Sequence, residues 1–243
     1  MRGLRALWRL LGVVVHVLFG LLVCALVFPA LAAPRRMHIV GWWSQGLLTR
    51  LGITLEHSGV PQPGPVLLVA NHVSWLDIVA IDAVCPARFV SKSEIRHWPV
   101  LGWMVACGGT LFIERERKRD ALRVVHQVAA ALTAGEIIAV FPEGTTSDGH
   151  DVLPFHANLL QAAIATQAPV QAVALRFADA HAGFSAAVEY LGETTLLDSL
   201  ARVLMADGLR AVVRLLPPLA TDQAQRRELA ERLQVQIAAA IVP

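Results

Sequence analysis

Val66-Leu67-Leu68-Val69-Ala70-Asn71-His72-Val73-Ser74-Trp75-Leu76-Asp77 passes from an unbroken apolar run into a short polar stretch and then towards a helix. Five consecutive apolar residues predict a strand buried on both faces, as in the parallel sheets of α/β proteins. Working outward from it, strand-like segments, most of them continuous apolar runs, predict further strands at residues 53–57, 88–91, 110–114, 137–141, 170–177 and 211–216. Between them Leu122, Val125, Val128 and Leu132 recur at helical spacing, and Gly135 offers a stop. Asp222 is placed to cap a last helix that runs towards Ile241. The prolines of residues 61–65 form a turn before a strand rather than a linker. This alternation predicts an α/β domain over residues 52–243.

Residues 1–51 read differently. No charged side chain lies between Leu10 and Ala33, and Arg2, Arg5 and Arg9 precede that run. A helix of this length can cross a bilayer at about 1.5 Å per residue. The basic start and the small residues Ala30-Leu31-Ala32 also fit a cleaved secretory leader, although the apolar run is long for one. A second segment follows, in which Arg35, Arg36, Trp42, Trp43, Leu47, Leu48, Arg50 and Leu51 mix basic, aromatic and aliphatic residues as interfacial helices do. Two membrane-anchoring helices are the simplest expectation. Basic residues flank both ends of the first, so charge leaves open whether it spans or re-enters the membrane.

Composition agrees with a membrane. Hydrophobic residues make up 55% and charged residues 16% of the 243, against about 45–50% and about 25% in soluble domains. Twenty-one basic and 19 acidic residues leave a net charge of only +2, which argues against nucleic acid as the main partner. Cys24, Cys85 and Cys107 are widely spaced and form no C-x-x-C pair, so neither a zinc site nor a disulfide framework is expected. The histidines show no metal-ligand spacing, and no metal is expected.

The chemistry centres on His72 and Asp77. Five positions apart within one helix they would point about 140° away from each other. With His72 in the loop and Asp77 in the first turn they can meet, the carboxylate accepting from one ring nitrogen and leaving the other free as a base. The plainer alternative makes Ser74 and Asp77 a capping box and His72 an ordinary loop residue. Two downstream segments, each ending a predicted strand, weigh against it: Gly109-Thr110-Leu111-Phe112-Ile113-Glu114-Arg115 and Phe141-Pro142-Glu143-Gly144-Thr145.

With an apolar-proline segment at Ala168-Pro169-Val170, these blocks occur in the order found in lysophosphatidic acid acyltransferases, and over residues 52–220 the chain resembles that family. The resemblance implies a mixed, largely parallel sheet flanked by helices, with an N-terminal two-helix membrane motif. It implies transfer of a fatty acyl group to a lysolipid hydroxyl, with acyl-coenzyme A or acyl-carrier protein as co-substrate and no cofactor. His72 would be the base and Asp77 its orienting partner. Lys92, Arg115, Glu143, Gly144 and Thr145 match acceptor-binding positions. The implied setting is the inner membrane, with the catalytic domain on its cytoplasmic face.

The match departs where many lysophosphatidate enzymes carry arginine and lysine, since Thr146 and His156 stand there. Segments 145–149 and 152–155 resemble a branch that acylates lyso-ornithine lipid, whose headgroup has no phosphate. Lysophosphatidate is the first expectation and lyso-ornithine lipid the second. A non-catalytic membrane lipid-binding module is the rival from another class.

Overall fold

The computed structural model describes residues 2–113 and 118–242. Helices α1 (Arg2–Leu26) and α2 (Ala33–Leu51) come first, separated by a short turn at Phe28–Ala30. Then follow β1 (Thr54–Ser58), β2 (Val66–Ala70), α3 (Leu76–Val84), β3 (Arg88–Lys92), α4 (Leu101–Cys107) and β4 (Leu111–Ile113). The chain continues through α5 (Lys118–Thr133), β5 (Ile137–Val140), α6 (Leu160–Thr166), β6 (Val170–Ala178), α7 (Leu196–Met205), β7 (Arg210–Leu215) and α8 (Arg226–Ile241). All seven strands lie where the sequence predicts them, most of them on continuous apolar runs.

The strands form one sheet in the order β1-β7-β6-β2-β5-β3-β4. From β6 to β4 neighbours are parallel, whereas β6 and β7 pair antiparallel and β1 runs parallel to β7. The sheet is therefore mixed and largely parallel. Parallel crossovers are right-handed, so connections that step in opposite directions along the sheet place their helices on opposite faces. The step from β2 to β3 sends α3 to the face that α1, α2 and α7 also cover, around Val13, Leu48, Leu51, Leu76, Ile81 and Val203. The steps back to β5 and across to β6 put α5 and α6 on the other face, where α8 joins them around Val128, Leu132, Leu160 and Leu233. Strands β2 and β6 are accordingly buried along nearly their whole length.

Two local expectations need correction. The helix predicted from Leu122, Val125, Val128 and Leu132 is α5, but it buries Val124, Val128, Ala131 and Leu132 and leaves Leu122 exposed. Asp222 does not cap α8, which starts at Arg226 with Gln225 as N-cap and no side-chain capping bond. Gly135 does close α5, in a left-handed conformation with φ 84° that suits glycine.

Helix α1 lies against the domain. Arg5 pairs with Asp207 at 2.8 Å, and Arg9 donates to the carbonyls of Leu204 and Ala206, which the end of α7 leaves free. Midway, His16 and Trp43 stack at 5.0 Å and exchange hydrogen bonds with each other's backbone carbonyl. Leu4, Leu7, Trp8, Leu11, Val15 and Leu22 face outward from the same helix.

One buried carboxyl in this layer has a testable consequence. Asp82 on α3 accepts a hydrogen bond from the Ala87 amide at 3.0 Å, and burial pushes its pKa up to about 8. In the unfolded chain it ionises near about 4. The folded protein thus holds a proton the unfolded one has lost, and stability falls as pH rises from about 4 to about 8. Asp82→Asn keeps an acceptor for Ala87 and cannot ionise. Its melting temperature relative to the wild type should climb between pH 5 and pH 8; the same difference at both pH values would contradict a neutral Asp82.

Candidate active site

The carboxyl ends of β2, β3, β4 and β5 open on one edge of the sheet, next to the place where the chain steps rightward from β2 and leftward from β5. Such a switch point is where open α/β sheets build their sites. Asn71 anchors the start of the loop: its side chain donates to the Leu175 carbonyl and accepts from the Leu175 amide, at 2.9 and 2.8 Å. Both bonds are buried, so the exit of β2 is locked to β6.

His72 follows. Its Nδ1 lies 2.7 Å from Asp77 Oδ2. An ionised carboxylate only accepts, so this contact assigns the ring proton to Nδ1 and leaves the Nε2 lone pair outward. Asp77, completely buried in the first turn of α3, also accepts from the amides of Val73 and Ser74 at 2.6 and 2.9 Å. The alternatives of capping and chemistry therefore coincide: one carboxylate oxygen ties down the helix start and the imidazole together. The reciprocal half of a capping box is absent, since the Ser74 hydroxyl is buried with no partner among the described residues.

The imidazole stacks on Phe141 with ring centres 4.1 Å apart and planes within 12°, and Phe141 stacks in turn on Phe89. An exposed edge remains, as 21% of the His72 side chain is accessible. Phe141 begins the loop after β5, in which Gly144 turns the chain at φ 77°. Behind it Glu143 is buried at 4% exposure. Its two carboxylate oxygens accept from the backbone amides of His72 at 2.6 Å and Leu153 at 3.0 Å. Burial pushes the Glu143 carboxyl up to about 7 despite those two bonds, which act to lower it. Ser147 holds the next peptide group, on the other flank of the His72 Cα, its amide 2.8 Å and its hydroxyl 3.2 Å from the His72 carbonyl.

The remaining residues singled out in the sequence are spread around this edge. Lys92 is exposed at the end of β3, and Thr145 is exposed in the loop after β5. Arg115 lies outside the described residues. Thr146 donates its hydroxyl to the Tyr190 carbonyl, and His156 is held through its amide to the Pro142 carbonyl. Trp75 packs into the core and donates to the Ser199 hydroxyl, tying α3 to α7. Sequence reasoning did not single out Arg96, whose guanidinium lies 5.9 Å from the centre of the Phe112 ring of β4. It also missed Ser147, for which the pattern offered no signal.

Residues 53–176, just over half of the chain, match the acyltransferase domain family. The chain belongs to that family. A lyso-ornithine lipid O-acyltransferase of Pseudomonas aeruginosa is 35% identical over 206 residues, covering 83% of this chain and 77% of the relative. A 1-acyl-sn-glycerol-3-phosphate acyltransferase of Neisseria meningitidis is 47% identical over 137 residues, 56% of this chain and 54% of its own length. The solved structure of a 1-acyl-sn-glycerophosphate acyltransferase from Thermotoga maritima superposes over 99% of this chain and 96% of its own with a TM-score of 0.72, at 20% identity. That likeness establishes the fold of this acyltransferase.

Proposed function

We propose that this acyltransferase moves a fatty acyl group from a thioester, acyl-coenzyme A or acyl-carrier protein, onto the free hydroxyl of a lysolipid, with His72 as general base. The observation that carries the reading is the Nδ1 contact of His72 with buried Asp77, which leaves Nε2 free at the open edge of the sheet. Nε2 takes the proton of the acceptor hydroxyl as that oxygen attacks the thioester carbonyl. The tetrahedral adduct then collapses, breaking the carbon–sulfur bond, and the imidazolium returns its proton to the departing thiolate. Asp77 stabilises the transient cation. No acyl-enzyme forms.

Lysophosphatidate is the first acceptor reading. Lys92 and Arg96 at the ends of β3 and the turn after it, with Arg115 beyond β4 in sequence, offer cations for a phosphate. Lyso-ornithine lipid is favoured by a different observation: Thr146 is committed to the Tyr190 carbonyl and His156 is exposed, where two further cations were expected. Full-length protein offered both acceptors with a labelled acyl thioester decides between them. Faster acylation of lysophosphatidate is the expected result, and faster acylation of lyso-ornithine lipid reverses the ranking.

The outward stripe of α1, from Leu4 to Leu22, supports residence on a membrane surface, with the acceptor delivered from the lipid phase. Because Arg5 and Arg9 bind α7, the helix forms part of the folded domain, which favours its retention over cleavage as a leader. The cytoplasmic face of the inner membrane, where acyl thioesters are made, suits this chemistry.

A further inference from the structure

The backbone of His72 is gripped on both flanks of its Cα by the loop that follows β5. Its N–H donates to Glu143 Oε1 at 2.6 Å, and its carbonyl accepts from the Ser147 amide at 2.8 Å and the Ser147 hydroxyl at 3.2 Å. The second oxygen of Glu143 takes the Leu153 amide at 3.0 Å, so one carboxylate joins the loop after β2, the turn after β5 and the segment at 153. These are backbone contacts, and Glu143 is only 4% exposed. A side chain turned inward onto two backbone amides and buried to this degree presents almost no surface to an acceptor molecule.

We propose that Glu143 is a positioning residue, which together with Ser147 clamps the His72 backbone so that Nε2 stands at the height required by the attacking hydroxyl, and that it does not bind the acceptor. The proposal rests on His72 being the base. Two anchors act on the ring itself, Asp77 at Nδ1 and Phe141 beneath its face, but both leave the ring free to shift with its backbone. The clamp removes that freedom. A displacement of about 1 Å at a reacting atom is enough to cost roughly a hundredfold in rate, and Glu143 and Ser147 are the groups that set the Cα from which the ring hangs.

The clamp requires two acceptor oxygens side by side. In Glu143→Gln one of them becomes an amide NH2 that meets a backbone N–H, so either His72 or Leu153 loses its partner. The full-length protein, assayed over a range of acceptor concentrations, should show kcat lowered by about ten- to a hundredfold with the acceptor KM within about twofold of wild type. Glu143→Asp keeps the charge but is one carbon too short to reach both amides, and should not restore kcat. In the double variant Glu143→Gln/Ser147→Ala the effects should be less than multiplicative, since both substitutions loosen the backbone that flanks the same Cα. A raised acceptor KM with kcat intact in Glu143→Gln would overturn the proposal, as would full rescue by aspartate.

His72→Ala is measured alongside. If it retains turnover, the base assignment itself is wrong; if it is inactive while Glu143→Gln is normal, the clamp alone is wrong. Amide hydrogen exchange in the wild type needs no variant: the His72 N–H should exchange as slowly as the amides of β2, and fast exchange there sinks the clamp even if Glu143→Gln fails to fold.

Discussion

His72→Ala is expected to lower kcat by about two to four orders of magnitude, the usual range for removal of a general base, while the protein stays folded and on the membrane. The stability part of that expectation follows from the loop geometry. The bonds that fix the loop run through the backbone of residue 72 and through Asp77, not through the imidazole: the residue 72 amide to Glu143, its carbonyl to Ser147, and the Val73 and Ser74 amides to Asp77. Alanine keeps them all and loses the ring stacked on Phe141. Turnover of a labelled thioester, read beside lipid co-sedimentation, separates the enzyme from a mere lipid-binding module. A variant that binds vesicles and turns over at the wild-type rate would unseat His72 as the base, and a wild-type protein that binds vesicles without any turnover would favour the module.

Asp77→Ala should be the more damaging change, because activity and stability fall together. It frees His72 Nδ1, so the ring loses its orientation and the correct tautomer; losses of about 10⁴ in kcat accompany such a change elsewhere. It also strands the Val73 and Ser74 amides, buried donors whose loss of a partner costs about 1–3 kcal/mol each. In a chain of this size that total corresponds to a melting temperature lower by roughly 10 °C. Combining it with His72→Ala should add little further loss of rate, since the two residues act as a unit. Calorimetry together with single-turnover assays tests the pairing of effects, and an Asp77→Ala protein that melts like the wild type would mean that Asp77 does not hold the loop.

The strands were legible because most are short, largely apolar runs ended by a turn residue, and β2, unbroken in its apolar pattern, is buried on both faces. Helix existence was legible and helix orientation less so: α5 buries Val124 and leaves Leu122 exposed, a choice made by tertiary packing that helical spacing alone does not fix. The start of α8 was misplaced because Asp222 looks like a cap, whereas the chain takes one more turn before Arg226. Within the site, spacing allowed His72 to meet Asp77 and the structure places them in contact. Spacing says nothing about which way a loop carboxylate points. Glu143 stands in a motif that suggests ligand binding, and only the folded loop turns it inward onto two amides. Ser147 and Arg96 gave no signal, since a lone serine in a turn and an arginine after a strand are both commonplace.

The pairing of β1 has a consequence for the order in which this protein is made. β1 follows directly on α2, yet its neighbour in the sheet is β7, residues 210–215. On the ribosome the first two helices emerge and meet each other early, while the strand attached to them stays unpaired until almost the whole chain has been synthesised. Contacts this distant in sequence form slowly, and an unmatched strand edge invites pairing with a neighbour. Early docking of α1 and α2 would hold that edge beside a lipid surface during the wait. Chains truncated before residue 210 should therefore be retained at the membrane and associate there, while chains that include β7 fold as single units.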